Sequence, residues 1–167
     1  MQVERRDTPR TADEKETLTA FLEWQRATLA QKCAGLTDEQ LRERSAPPST
    51  LSLLGLVRHM ADVERGWFRR TLDQADVPPL YSTDSDPDGE FDNVDTANVE
   101  EAFATWGAEC QQARDIVSAH ELDDTGRQRS GRLISMRWIL NHMIEEYSRH
   151  NGHADLLRER IDGATGY

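Results

Sequence analysis

The amino-acid sequence predicts an all-α fold, a four-helix bundle that forms one domain over residues 1–167. Four stretches place apolar residues at the three- and four-residue intervals of amphipathic helices, and one long acidic segment separates the second stretch from the third. A chain of 167 residues is long enough for one domain with a substantial core and too short for two. Amphipathic helices joined by one long crossover are typical of a bundle, in which sites are built from inward-facing side chains.

The first helix is predicted to begin at "TADE", where Thr11 and Glu14 have the spacing of a capping box, and to end before Gly35. A short helix should follow in "LTDEQLRERS", capped by Thr37 with Gln40 at the reciprocal position. The apolar positions that place the first helix in the core are Leu18, Phe21, Leu22, Leu29 and Cys33.

A second long helix is predicted from about Leu51 to Leu72, and its apolar residues fall on one stripe. The pattern then dissolves between Leu72 and Asn98 into a segment rich in Asp, Pro and Ser, and no basic residue occurs from Thr71 through Ala113. We expect this segment to be a long acidic crossover between the second and third helices. The stripe on the second helix consists of Leu53, Leu56, Met60, Val63 and Trp67.

Two further helices complete the predicted bundle. The third should run from about Thr96 to His120, and the last from about Ser135, a suitable N-cap, to Ile161, with Gly163 closing its end. Between them "GRLISM" can be extended, and no other segment shows serious strand-like alternation.

Composition limits the classes of partner. The net charge of −11 disfavours nucleic acid and anionic membranes, because phosphate-backbone binding depends on Lys and Arg contacts. No apolar run is long enough to span a bilayer, and the first residues lack a secretion signal, so we expect a cytoplasmic protein without a membrane partner. Cys33 and Cys110 are far apart and outside any CxxC motif, which favours reduced core residues. Bundle faces are compatible with a homodimer.

The last helix carries polar residues on its apolar face. At about 100° per residue, His142, Glu146, His150 and His153 lie within one stripe of that helix. His59 has a similar position among the apolar residues of the second helix. Buried polar groups cost free energy unless they find partners, so these side chains need an explanation.

A divalent cation would satisfy the inward groups together. Glu146 and His150 are one helical turn apart, and His59 from a facing helix can complete a set of three ligands. Imidazole and carboxylate donors without thiolates suit Zn²⁺, Ni²⁺, Co²⁺, Mn²⁺ or Fe²⁺, with Zn²⁺ or Ni²⁺ favoured. His142 and His153 are candidates for a supporting role or an additional ligand. The alternative is that these histidines are core residues satisfied by hydrogen bonds.

Two blocks of the sequence, "LSLLGLVRHMADVERGWFRR" and "MRWILNHMIEEYSRHNGHADLLRERIDGATG", closely resemble the DinB-like superfamily, in particular its branch near the mycothiol-dependent maleylpyruvate isomerases. The resemblance implies a bundle of up-down-down-up order with a metal triad at His59, Glu146 and His150. Many members carry a Gln three residues after the last ligand, where this chain has His153.

The resemblance also implies a function. A small thiol such as mycothiol or bacillithiol would bind at an open position of the metal and attack an electrophile, in a transferase or isomerase reaction. Trp67 would line the pocket mouth, and Arg149 or Arg58 would steer an anionic substrate, although an ordinary surface arginine and a core aromatic explain these residues equally well. The alternative function is a non-catalytic, metal-stabilised stress-response or interaction module.

The crossover contains a second metal-like pattern, "DSDPDGEFDNVD", in the ligand order of an EF-hand calcium loop. The final Asp in place of Glu and the internal proline weaken this interpretation, and an ordinary acidic loop over the bundle is the alternative. The residues concerned are Asp84, Asp86, Asp88, Glu90, Asp92 and Asp95.

Overall fold

The computed structural model describes residues 5–166, which are mostly helical, so the predicted all-α class is confirmed. None of the helices in this range is long and apolar enough to cross a membrane. The helices and strands are α1 Glu14–Cys33, α2 Asp38–Arg42, α3 Leu53–Glu64, a π-helical segment Arg65–Leu72, α4 Gly89–Asp92, a 3-10 turn Val94–Thr96, α5 Val99–Ala119, β1 Thr125–Arg127, β2 Leu133–Ser135 and α6 Met136–Asp162.

The helix ends follow local capping chemistry, with one correction to the sequence prediction. α1 is capped by Asp13, whose carboxylate accepts from the backbone N–H of Glu16, and the predicted cap at Thr11 is wrong. A carboxylate next to the first turn suits the helix dipole as well as the free N–H groups. The capping box of Thr37 and Gln40 forms as predicted. Gly163 ends α6 in the left-handed conformation, with φ of 79°.

The second long helix is not a uniform α-helix. α3 ends at Glu64 and continues without a break as the π-helical segment Arg65–Leu72, which we call the π-segment. Such segments are rare and often occur at functional sites, because the wider turn changes the direction of the side chains that follow. The sequence pattern predicts the extent of this helix to within two residues and does not reveal the change of pitch.

α3 lies at the centre of the packing. α1 packs along α6, α3 packs against α5, and α3 also contacts α6, so that α3 and α6 share an inner face. The interior side chains are closely enclosed aliphatic and aromatic groups, as expected for a helical core. The largest fully buried side chains include Leu29, Leu56, Met60, Phe68, Ile139, Met143 and Tyr147. Cys33 and Cys110 are free and buried, as predicted.

The acidic crossover, residues 73–98, is held against α3 by buried polar contacts. The Asp62 carboxylate accepts from the backbone N–H groups of Leu80 and Tyr81, at 2.6 and 3.0 Å. Arg58 is buried, and its guanidinium donates to the backbone carbonyls of Gly89 and Asn93. Arg58 therefore anchors the crossover, in place of the surface or substrate-steering arginine considered from the sequence.

The calcium-like loop in the crossover does not gather its carboxylates. Asp95 pairs with Arg44, Asp86 accepts from the Asn93 amide, and Glu90 is buried beside His59. Among residues 5–166, the only group of three or more metal-type side chains is found elsewhere. The loop thus matches the alternative of an ordinary acidic segment.

β1 and β2 form a small antiparallel hairpin with Gly126 opposite Ile134, so "GRLISM" is extended in part, as the sequence allows. The hairpin, residues 125–135, packs directly against the end of the π-segment. A Cβ atom added at Gly126 would lie 1.9 Å from the backbone oxygen of Thr71, which only glycine avoids. The Gln74 amide joins the two elements by donating to the carbonyls of Thr71 and Arg127.

Candidate metal centre

Three side chains from two helices converge at the inner face shared by α3 and α6. His59 comes from α3, and Glu146 and His150 come from α6. One ligand atom from each lies within 4.8 Å of the other two, and all three residues are partly buried. We call this group the donor cluster. The separation is close enough for one cation to reach all three after small side-chain rotations, and the set of two imidazoles and one carboxylate suits a divalent transition metal.

The His59 imidazole is oriented by two residues of the crossover. Its Nδ1 lies 3.1 Å from a carboxylate oxygen of Glu90, and its ring stacks on Phe91 with centroids 5.2 Å apart. A carboxylate that accepts from Nδ1–H leaves Nε2 free as the ligand atom, as in many metal-binding histidines. Glu90 is 7% exposed, and its second oxygen has no hydrogen-bond partner among residues 5–166.

Glu90 is the functional residue that sequence analysis missed. Its position in the acidic crossover suggested a calcium ligand, whereas the structure uses it to position His59. Because the crossover has no helical periodicity, nothing in the sequence places Glu90 opposite α3.

Glu146 is surrounded by imidazoles. Its two oxygens lie 3.2 Å from His142 Nε2 and 3.5 Å from His150 Nε2. The hydrogen bond from His150, which outweighs the effect of burial, lowers the pKa of the Glu146 carboxyl below its ordinary value, and the nearby His142 and His59 lower it further. Glu146 is therefore an ionised donor at neutral pH.

The two additional histidines lie on opposite sides of the donor cluster. His153 Nδ1 is 3.4 Å from His150 Nδ1, and burial, followed by repulsion from His150 and Arg149, lowers the pKa of His153. His142 contacts Glu145 as well as Glu146. Both contacts are compatible with the supporting role that was one of the alternatives considered from the sequence.

An aromatic wall continues from the donor cluster. The His142 ring lies 4.7 Å from Trp67 and 4.8 Å from Trp138, measured between ring centroids. Trp67 belongs to the π-segment, so the change of pitch brings a large apolar surface beside the histidines. Such a surface lowers the local polarity near the donors and strengthens electrostatic interactions there.

A cleft of about 790 Å³ adjoins the donor cluster. His59 and Trp67 are among its lining residues, and so are Arg70, Arg127 and Arg129. The predicted pocket residue Arg149 is outside the lining: its side chain is 65% exposed and pairs with Glu145. A volume of this size accommodates a small organic molecule.

A second polar cluster lies deeper in the bundle, and the sequence pattern did not predict it. The Arg26 guanidinium donates to both oxygens of Glu64, at 2.7 and 2.6 Å, and the Tyr147 hydroxyl donates to Glu64 at 2.8 Å. Trp106 Nε1–H donates to the Tyr147 oxygen, and the Cys110 thiol lies 3.6 Å from Glu64. We call these five residues the core network.

The charges of the core network are mutually stabilised. Burial by itself would lower the pKa of Arg26, yet the adjacent Glu64 carboxylate raises it well above its ordinary value. Burial raises the pKa of the Tyr147 hydroxyl well above the usual range. The network therefore keeps Arg26 charged beside Glu64 and Tyr147 un-ionised.

The sequence of the described helices matches a known protein family. The family model of mycothiol-S-transferase matches residues 17–163, a range that includes the donor cluster, the cleft and the core network. No curated protein matches the chain.

Proposed function

The chain belongs to the mycothiol S-transferase family, and from this premise we propose that it is a metal-dependent enzyme that joins a low-molecular-weight thiol of the mycothiol type to an electrophilic small molecule. The observation that supports this function is the donor cluster at the edge of an open cleft: two imidazoles and a carboxylate within 4.8 Å of one another. We also propose that residues 1–167 form one domain in which α1, α3, α5 and α6 follow the up-down-down-up order.

The residues present fit a resident divalent cation. His59, Glu146 and His150 would hold it, with Zn²⁺ or Ni²⁺ favoured by the nitrogen and oxygen donors. When bound, the cation would supply a positive charge that lowers the pKa of a thiol, so that the thiolate is available near neutral pH. Three protein ligands leave room for such a molecule, as in catalytic rather than structural sites.

The remaining residues prepare the site. Glu90 fixes the His59 ring, and the ionised Glu146 supplies a charged donor without first losing a proton. Trp67 presents an apolar wall where the electrophile enters from the cleft. In the reaction the thiol loses its proton to solvent, its sulfur forms a bond to the electrophilic carbon, and the leaving group departs with the bonding electron pair.

The test combines metal analysis with turnover. Protein purified without chelator should contain one divalent ion per chain and should convert mycothiol and 1-chloro-2,4-dinitrobenzene to the thioether with release of chloride. His59→Ala and His150→Ala should lose both the ion and the activity. His120→Ala is the matched control, because His120 lies at the end of α5 and contacts the Ile116 carbonyl.

The opposite result identifies the alternative function. A protein that binds one ion per chain and loses thermal stability on chelation, but converts no electrophile in a broad thiol and electrophile screen, is a metal-stabilised binding module. That outcome would contradict the transferase proposal while leaving the metal site in place.

A further inference from the structure

Three arginines line the part of the cleft contributed by the π-segment and the hairpin. Arg70 belongs to the π-segment, and Arg127 and Arg129 belong to the hairpin. The same cleft includes His59 of the donor cluster. The arginines therefore face the space into which the proposed electrophile must fit.

These arginines differ from the other two arginines of the π-segment. Arg65 and Arg69, on the same π-segment, both bind the buried carboxylate of Glu109. In contrast, within residues 5–166 the guanidinium groups of Arg70 and Arg129 make no hydrogen bond or ion pair, and that of Arg127 donates to the Gly131 carbonyl. Arg70 and Arg129 therefore line the cleft with guanidinium groups that no carboxylate of the described residues engages, so a ligand anion can bind them.

The fold holds the arginine positions together. The close contact of Gly126 with the Thr71 carbonyl fixes the hairpin against the π-segment, and the Gln74 side chain bridges the same two elements. Gln74 adopts a positive φ of 56°, which is unusual for a residue with a side chain. This arrangement places arginine side chains from two different elements along one cleft.

Carboxylates also line the cleft, but two of the three are already engaged. Asp62 accepts from backbone N–H groups of the crossover, and Glu90 accepts from His59. Asp76 is exposed and has no partner in the described part of the chain. The charge available to a ligand is thus positive beside Arg70 and Arg129.

We propose that the electrophilic substrate carries a carboxylate or similar anionic group, which Arg70, Arg127 and Arg129 bind while the reactive carbon faces the donor cluster. This inference rests on the proposed function and specifies the substrate class. The planar guanidinium group binds a carboxylate through two parallel hydrogen bonds, which fixes orientation as well as charge. Arg70, Arg127 and Arg129 thus act as specificity residues at the end of the cleft away from the thiol.

A matched pair of electrophiles tests the proposal. 4-Chloro-3,5-dinitrobenzoate and 2-chloro-1,3-dinitrobenzene both lose chloride to thiolate at a carbon flanked by two nitro groups, and only the first carries a carboxylate. With mycothiol as the common thiol, metal-loaded protein should show a kcat/KM ratio that favours the carboxylate compound. In R70Q/R129Q this ratio should fall by roughly tenfold, the effect expected for loss of charge-assisted hydrogen bonds in a partly exposed site.

The control variant removes the same charge from elsewhere. R10Q/R132Q also deletes two exposed arginines, one of them next to the hairpin turn, and neither residue lines the cleft. Its kcat/KM ratio should remain that of the unmodified protein. Arg127 is left in place because its side chain supports the hairpin through Gly131. An equal fall in both double variants would show only a general effect of net charge and would overturn the proposal.

A binding measurement separates this inference from the proposed function. Calorimetry with the unreactive pair 3,5-dinitrobenzoate and 1,3-dinitrobenzene requires no turnover. Stronger binding of the carboxylate compound, lost in R70Q/R129Q and retained in R10Q/R132Q, supports the anion site even if no electrophile is converted. Equal binding of the two compounds, or a preference that survives in R70Q/R129Q, overturns the anion site even if the transferase activity is present.

Discussion

The donor cluster and the core network both take residues from α3 and α6, and the core network adds residues from α1 and α5. His59 and Glu64 are five residues apart on α3, and Glu146 and Tyr147 are adjacent on α6. In the core network each oxygen of Glu64 accepts at least one hydrogen bond, and Glu64 is 0% exposed. In the donor cluster two imidazoles approach within 4.7 Å between ring centroids and adjoin an open cleft.

The difference shows what separates a structural polar cluster from a ligand site. Arg26 neutralises Glu64 internally, so the core network is complete without any added group. In the donor cluster, ligand atoms of one carboxylate and two imidazoles lie within 4.8 Å of one another, and we propose that a cation completes the set. The core network is buried and its charged groups find partners within the protein, whereas the donor cluster is only partly buried and adjoins a cleft.

The largest effect should come from breaking the core network. Arg26→Met leaves the Glu64 carboxylate buried without its cation, which should lower the free energy of unfolding by about 3–5 kcal/mol. Chemical denaturation followed by circular dichroism measures the change, and it should be independent of added metal. Arg149→Met, which removes an exposed partner of Glu145, is the control and should change the free energy of unfolding little.

A double variant sharpens the same comparison. Arg26→Met combined with Glu64→Leu removes both charges, so the protein should be more stable than the Arg26→Met variant alone. If the double variant is less stable than the single one, the buried carboxylate is not the source of the loss.

Removal of the metal should have the next largest effect on the free energy of unfolding. This effect should depend on the residues of the donor cluster. A ligand that binds only the folded state at a hundred times its dissociation constant stabilises it by about 2.7 kcal/mol. Added Zn²⁺ or Ni²⁺ should therefore raise the melting temperature of chelator-treated protein, and the rise should be absent in His59→Ala. An equal rise in His59→Ala would mean that the ion binds at another site.

A smaller effect is expected at Glu90, which acts on the metal through His59. Glu90→Gln keeps the size of the side chain but weakens the hydrogen bond that orients the imidazole, and such changes typically reduce metal affinity by about 10- to 100-fold. Competition with a chromophoric chelator measures the dissociation constant. Asp88→Asn, an exposed acidic residue of the same loop, is the control and should leave it unchanged. If Glu90 has only a structural role, Glu90→Gln should lower the free energy of unfolding and leave the dissociation constant for the metal unchanged.

The contrast between the clusters also explains what the sequence could predict. His59, Glu146 and His150 fall on the apolar stripes of two helices, and helical periodicity alone places them on an inner face. Helical periodicity indicates on which face of a helix a residue lies. It does not indicate how deeply the residue is buried or which residue of another helix it contacts. Glu64 and Arg26, which pair with each other across α1 and α3, were therefore not identified.

For the fold as well, local patterns predicted the features that depend on residues close in sequence and missed those that depend on distant contacts. The extents of the long helices follow from apolar spacing, and the capping box at Thr37 was identified correctly because its two partners are close in sequence. The π-segment and the position of Glu90 depend on contacts with distant residues, so local patterns did not reveal them. The cap of α1 was displaced because Asp13, two residues after Thr11, offers a carboxylate at the helix start.

The smallest effect is expected from chemical modification of the two cysteines. This experiment tests whether the reaction uses a thiol of the protein or only the added low-molecular-weight thiol. Burial raises the pKa of Cys33 to about 12, and burial followed by the Glu64 carboxylate raises the pKa of Cys110 still further. Because the thiolate is the reactive form, only about one Cys33 in ten thousand would be ionised at pH 8, and burial limits access as well. Native protein should therefore release almost no chromophore from Ellman's reagent at pH 8, whereas denatured protein should release two equivalents per chain.

Treatment of the native protein with iodoacetamide should likewise leave mycothiol-dependent turnover intact. Rapid labelling of Cys110 with loss of turnover would mean that the core network opens to solvent and takes part in the reaction, and the distinction between a closed structural cluster and an open ligand site would then fail.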